Sequence, residues 1–258
     1  MANVIGMIPL LLGSTRIPDK NIILLNGRIL CSYTIEACRK SGAFTDIYLN
    51  SENVIFSDIA KTQKVKFYQR NPENGGTSCR QKNKSRDCRG SRCVINEHYL
   101  YDFMKNINCD YLFQVNSTSP LLRSETISVF VNKLIHENFD CLFAVKQVNA
   151  ESIFQGEPIT FDRNRKQPSQ ELEPLNIICW AIAGWKCDTF LTVYEQDDIM
   201  ENSPVYSGRL GLFPVDEREA LDIDEWSTLN IAEKYLASDE LRVQKEWTYM
   251  DGRTIIEK

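Results

Sequence analysis

"IPLLLGSTRIPDKN", residues 8–21, opens as an apolar strand and closes as a polar loop. The apolar run that leads into it, residues 4–12, has no polar alternation, which fits a parallel strand covered on both faces. Gly13-Ser14-Thr15 then offers small residues and backbone N–H groups, with Arg16 and Lys20 close behind as cations. These are the makings of an anion site at the end of a strand. The same residues also describe a plain strand-to-helix turn whose charges are solvated.

Working outward, strand patterns recur at residues 45–49, 65–68, 111–115 and 141–145. Helical spacing falls at 28–40, 51–62, 94–107 and 124–137, with Ser124 as the expected N-cap of the last. Residues 150–174 break this rhythm with charge, Pro and Gln. Strand 177–183, helix 186–194, strand 210–215 and helix 225–237 follow. This alternation predicts an α/β fold with a mostly parallel central sheet flanked by helices. The expected organisation is a nucleotide-binding α/β part at 1–149, an arm at 150–176, the rest of the same α/β domain at 177–238 and a tail at 239–258. In such a sheet the ligand crevice lies outside the carboxyl ends of the strands, so the loops after residues 12, 68 and 115 become the expected site.

Bulk properties narrow the function. The 258 residues are 43% hydrophobic and 25% charged, ordinary for a globular domain with a sizeable core. A net charge of -5 gives no global attraction to nucleic acid or anionic membrane. The apolar N-terminus has no basic region before it, and no stretch reaches the ~18 to 20 apolar residues that span a bilayer, so a soluble, cytoplasmic protein is expected. The nine cysteines are odd in number and several lie in apolar periodic segments, as reduced core residues do.

Two further clusters carry chemistry. Asn116-Ser117-Thr118-Ser119-Pro120 follows the strand at 111–115 and puts an amide and hydroxyls at the expected site, or simply makes a turn. Asp222-Ile223-Asp224 alternates, so in a strand both carboxylates face one way. Paired carboxylates suit Mg²⁺ with phosphate oxygens, or else favour the N-terminus of the following helix.

"IPLLLGSTRIPDKN", "STSPLL" (117–122) and "LDIDEWSTLNIAEKYL" (221–236) together resemble the acylneuraminate cytidylyltransferases, which make CMP-activated sialic and related nonulosonic acids. The resemblance runs from residue 4 to about residue 236 with the motifs in order. It implies a Rossmann-like nucleotidyltransferase fold, CTP and an acidic sugar as substrates, Mg²⁺ as cofactor and a homodimer whose arm is residues 150–176. Carried over, Leu10, Leu11, Gly13, Ser14, Arg16, Lys20 and Asn21 would contact the nucleotide, and Arg70 in "YQRNP" would lie near the base. Asn116, Thr118, Ser119 and Gln170 would face the sugar, Asp222 and Asp224 would hold the metal, and Lys20, Arg16 and Asp222 would act in catalysis.

The chain departs from the family pattern at Leu11 and Thr15, where the family commonly has Arg and Lys, and "STR-x-P" resembles the related CMP-Kdo synthetases instead. "QPSQELEPLNIICWAIAG" (167–184) has Ser169 in place of an Arg, and Ile178-Cys179-Trp180 fall near the family's Asn-Gly-Ala. An alternative reading is therefore a family member with impaired catalysis that binds nucleotide or sugar. "CRQKNKSRDCRGSRC" (79–93) carries six cations and could fold over the triphosphate, stay solvated, or give Cys79, Cys88 and Cys93 to a zinc site with His98. It has no interleaved aromatics, so a nucleic-acid partner is not expected.

Overall fold

The computed structural model describes residues 2–72, 95–196, 203–241, 246–248 and 254–256. Seven strands form the central sheet: β1 Val4–Pro9, β2 Asp46–Ser51, β3 Lys66–Gln69, β4 Tyr111–Val115, β5 Cys141–Val148, β6 Leu175–Lys186 and β7 Leu210–Pro214. Their order is β7-β5-β6-β4-β1-β2-β3. All neighbours are parallel except β6, which runs antiparallel to both β4 and β5. The expected mostly parallel α/β sheet is thus the observed one.

Helices α1 Leu30–Ser41, α2 Ile55–Gln63, α3 Ile95–Asn106, α4 Ser124–His136, α5 Cys187–Glu195 and α6 Trp226–Leu241 connect or follow these strands. Both faces of the sheet are covered. Ile8, Leu49, Phe113 and Val115 pack with α1, α2 and α4 on one side, and Met7, Leu112 and Phe143 pack with α3 and α5 on the other. This two-sided burial explains the unbroken apolar run in β1. At the antiparallel strand, Gly184 leaves no room for a side chain: a Cβ there would meet the Phe113 ring at 2.6 Å.

Several expected boundaries move, each for a local reason. β1 ends at Pro9 rather than residue 12, because Leu10 through Leu12 peel away after a last bond from Leu10 N–H to Asn50 O at 2.9 Å. The expected helix at 28–40 starts at Leu30, since Leu24–Leu25 and Arg28–Ile29 form a hairpin around Asn26-Gly27, both at positive φ. Ser124 is not the cap of α4. Arg123 takes the N-cap position, its N–H donating to Glu219 Oε1 at 2.9 Å, while Ser124 Oγ donates to Glu125 Oε1.

Residues 150–174 do leave the sheet, carrying a short hairpin, Ile153–Phe154 with Glu157–Pro158, and a 3-10 turn at Ser169–Glu171. In the tail, Glu246–Thr248 pairs with Thr254–Ile256. Cys31, Cys38, Cys109, Cys141, Cys179 and Cys187 are free thiols. The basic segment 79–93, with Cys79, Cys88 and Cys93, lies outside the described residues. No helix among the described residues is long and apolar enough to cross a membrane.

Candidate active site

From β1 the chain steps to β2 and β3 on one side, while β4 lies on the other. Loops leaving β1 and β4 therefore diverge and leave a crevice at their carboxyl ends. A cleft of about 460 Å³ opens there, walled by the loops after β1 and β4, Arg70 after β3 and the segment before α6.

The loop after β1 is held by its own polar residues. Gly13, at φ 79°, donates its N–H to Asp19 Oδ1 at 3.1 Å. Asn21 Nδ2 donates to Leu11 O at 2.9 Å and accepts at Oδ1 from Ser117 Oγ at 2.6 Å. These bonds pin the loop to the turn after β4 and bury Lys20 and Asn21.

Lys20 crosses the cleft. Its ammonium donates to Ile223 O at 2.6 Å and to Asp224 Oδ1 at 2.8 Å, and Arg16 Nη2 lies 2.9 Å from the same carboxylate oxygen. Burial works against ionisation of Asp224, but Lys20 and Arg16 outweigh it and hold the carboxyl below its usual range. Asp222 is the opposite case. Burial and the neighbouring Asp224 push its carboxyl up, against a hydrogen bond from the Thr118 side chain. Its Oδ1 is buried with no donor.

The two aspartates do not lie in a strand, contrary to the sequence expectation. They occupy an extended segment before α6, which begins at Trp226 rather than Glu225. Ile223 between them is fully buried against Ile17, Leu30 and Leu229, and its N–H donates to Thr118 O at 2.8 Å. Anchoring Ile223 inward leaves both flanking carboxylates on the cleft. Among the described residues no three His, Cys, Asp or Glu side chains gather, so a cation at this pair would complete its shell from ligand or water oxygens.

At the other end, buried Arg70 sits with its guanidinium carbon 5.3 Å from the centre of the Tyr99 ring, and its Nη2 donates to Leu10 O at 3.2 Å. Tyr99 O–H donates to Gln114 Oε1 at 2.6 Å, and Gln114 Nε2 donates to Asn116 Oδ1 at 2.9 Å. Burial pushes the Tyr99 phenol up to about 12, so it stays a donor.

Leu10, Leu11, Ser14, Arg16, Lys20, Asn21, Arg70, Asn116, Thr118, Asp222 and Asp224 all line this one cleft. Three expected residues do not. The Gly13 N–H is taken by Asp19, Ser119 is buried beneath the turn, and Gln170 is exposed on the 3-10 turn at Ser169–Glu171. His98, named with the zinc reading, bonds Tyr194 O–H through Nδ1 at 2.7 Å. Tyr99 and Gln114 line the cleft without having been singled out from sequence, and Ser117 and Trp180, named there only as members of longer motifs, line it as well. Gln114 was legible, being a polar residue inside the apolar strand "YLFQV" two places before Asn116 and so on the same face. Trp180, inside an apolar run, gave no such signal.

The chain is 30% identical over 141 residues to a pseudaminic acid cytidylyltransferase from Campylobacter jejuni, a match covering 55% of this chain and 57% of that protein. It is 21% identical over 220 residues to N-acylneuraminate cytidylyltransferase A of Danio rerio, covering 82% of this chain and 46% of that one. The matches thus span about half the length of these curated relatives. Among solved structures, a CMP:2-keto-3-deoxy-manno-octonic acid synthetase complexed with CTP superposes with a TM-score of 0.66 at 12% identity, over 92% of this chain and 100% of that one. A 4-diphosphocytidyl-2C-methyl-D-erythritol synthase from Anaerococcus prevotii does so at 0.61 and 12%, over 90% and 98%. Both share the fold. The sequence profile of the cytidylyltransferases matches residues 5–173, well over half of the chain, and the protein belongs to that family.

Proposed function

We propose that the protein transfers CMP from CTP to an acidic sugar of the sialic, pseudaminic or Kdo class, releasing pyrophosphate. The observation that carries this reading is the meeting of Arg16, Lys20 and Arg70 with Asp222 and Asp224 in one cleft at the switch point of the sheet. The anomeric hydroxyl of the sugar attacks the α-phosphorus. A new O–P bond forms, the bond from the α-phosphorus to the oxygen bridging the β-phosphate breaks with its electrons going to pyrophosphate, and the hydroxyl proton passes to solvent. This reaction needs positioning and charge neutralisation more than covalent catalysis.

Arg16 and Lys20 leave Asp224 to bind phosphate oxygens and spread the charge of the departing pyrophosphate. Their presence supplies cations in a loop where Leu11 and Thr15 have none. Arg70, held over the Tyr99 ring, fixes the base end. Asn116 and Thr118 orient the sugar. Asp222 and Asp224 suit Mg²⁺, because the donorless Asp222 Oδ1 is a buried acceptor of the kind a hard cation satisfies. When bound, Mg²⁺ supplies Lewis-acid charge to the phosphates. A cytoplasmic location agrees with the use of CTP, and exposed Ile153, Phe154 and Ile159 on the 150–176 arm suit a homodimer, which light scattering tests.

The test is thermal shift with CTP, ATP, GTP and UTP, with and without Mg²⁺, followed by pyrophosphate release with the three sugars. A Mg²⁺-dependent shift selective for CTP and lost in Asp224→Ala is expected. Equal shifts with all four nucleotides, or none, would overturn the reading.

A further inference from the structure

Trp180 has a backbone conformation that its side chain does not favour. Its φ is 59°, in the left-handed region where a Cβ is crowded. The other non-glycine residues with positive φ among the described ones are Asp19, Asn26, Lys64, Asn138 and Gln155, all polar and all outside the seven strands of the sheet. Trp180 alone is aromatic and lies inside one of them.

The cause is a bulge in β6. Ile178 pairs with Val145 and Ala183 with Phe143, so residues 179–182 face Ala144 alone. The bulge is bonded on both sides: Ala181 O accepts from Asn116 N–H at 3.1 Å, and Cys179 Sγ donates to Ala144 O at 3.4 Å. It brings the half-buried indole to the cleft wall near Asn116, with the Phe143 ring edge-on at 5.5 Å. Strain of this kind persists where the surroundings over-determine it, and it clusters at ligand sites.

We propose that Trp180 is a specificity-determining residue, its indole forming an apolar wall that selects acidic sugars bearing acylamino or deoxy-methyl groups over those bearing hydroxyls alone. The inference rests on the acidic-sugar reading of the cleft. An indole surface gains by covering methyl and C–H groups and gives a hydroxyl no acceptor. Asn116 and Thr118 nearby supply the polar contacts.

The experiment compares wild type, Trp180→Gly and Trp180→Phe for pyrophosphate release from CTP with pseudaminic acid, N-acetylneuraminic acid and 3-deoxy-manno-octulosonate, alongside melting temperature. Wild type is expected to favour the two acylated sugars. Trp180→Gly is expected to raise KM for them at least tenfold and leave KM for CTP within twofold, the melting temperature serving to show that the variant is folded. Trp180→Phe, still aromatic, is expected to keep the preference within threefold. An unchanged sugar preference in Trp180→Gly, or a matching rise in KM for CTP, overturns the role of Trp180 while leaving the acidic-sugar reading intact. If wild type binds CTP but turns over none of the three sugars, the acidic-sugar reading falls and this inference with it.

Discussion

The Lys20 ammonium lies 2.8 Å from Asp224 Oδ1, although 204 residues separate the two in sequence. Arg16 shares that oxygen, yet its side chain is 59% exposed against 11% for Lys20. The buried cation acts through a lower effective dielectric, so its loss has the larger consequence. Lys20→Met is expected to lower kcat/KM for CTP by about 10² to 10³, and Arg16→Ala by only about tenfold. Steady-state kinetics at fixed ionic strength check this, and equal losses would contradict it.

Asp222 and Asp224 are expected to respond in opposite directions to neutralisation. The folded-state pKa of Asp222 is raised, so protonation favours the fold, and that contribution is present at low pH and lost as pH rises through the raised value. Asp224 has a lowered pKa, and its contribution is present above the unfolded value and lost as pH falls. At pH 7, Asp222→Asn should therefore melt higher than wild type, while Asp224→Asn melts lower. Both should lose the Mg²⁺-dependent shift. A lower melting point for Asp222→Asn would contradict the account.

The sheet and the order of its elements were legible because two-sided burial writes long apolar runs, and β1, β4 and β5 carry them plainly. The cleft was half legible. Lys20 and Asp224 each stood in a readable motif, but their ion pair depends on the fold closing the chain on itself. The strand expected at 222–224 did not form, because Ile223 is anchored to the Thr118 carbonyl and to a small core rather than to a ladder. The Asn26-Gly27 hairpin was readable from turn chemistry and was covered by the helical pattern after it. The bulge that turns Trp180 to the cleft was not readable, since it depends on the register of both neighbours of β6.

Arg70 tests the base end. Its guanidinium carbon lies over the Tyr99 ring at 5.3 Å while Nη2 bonds Leu10 O, a pair of contacts that an ammonium does not reproduce. Arg70→Lys keeps the charge and is expected to raise KM for CTP by about tenfold, near 1.4 kcal/mol, with KM for the sugar unchanged. A change confined to the sugar KM would move Arg70 to the other half of the cleft.

Glu219 joins the two loops that carry the site. It is buried at 3% exposure and accepts both the Arg123 N–H at 2.9 Å and the Arg123 guanidinium at 3.0 Å. Four residues further on, Ile223 N–H donates to Thr118 O at 2.8 Å, so the segment bearing Asp222 is tied to the turn bearing Thr118 at two points. Glu219→Ala leaves the N–H at the start of α4 without its acceptor, a cost of about 2 kcal/mol that lowers the melting temperature by roughly 4–8 °C. Arg123→Ala removes an exposed guanidinium and keeps the backbone donor, so its cost should stay within about 1 kcal/mol. Because Glu219 does not line the cleft, Glu219→Ala is also expected to weaken Mg²⁺-dependent CTP binding severalfold through loss of loop alignment alone. Denaturant titration and calorimetric CTP binding read the two effects separately. A destabilised variant with full CTP affinity would show that the second tie, at Ile223, holds the carboxylates by itself.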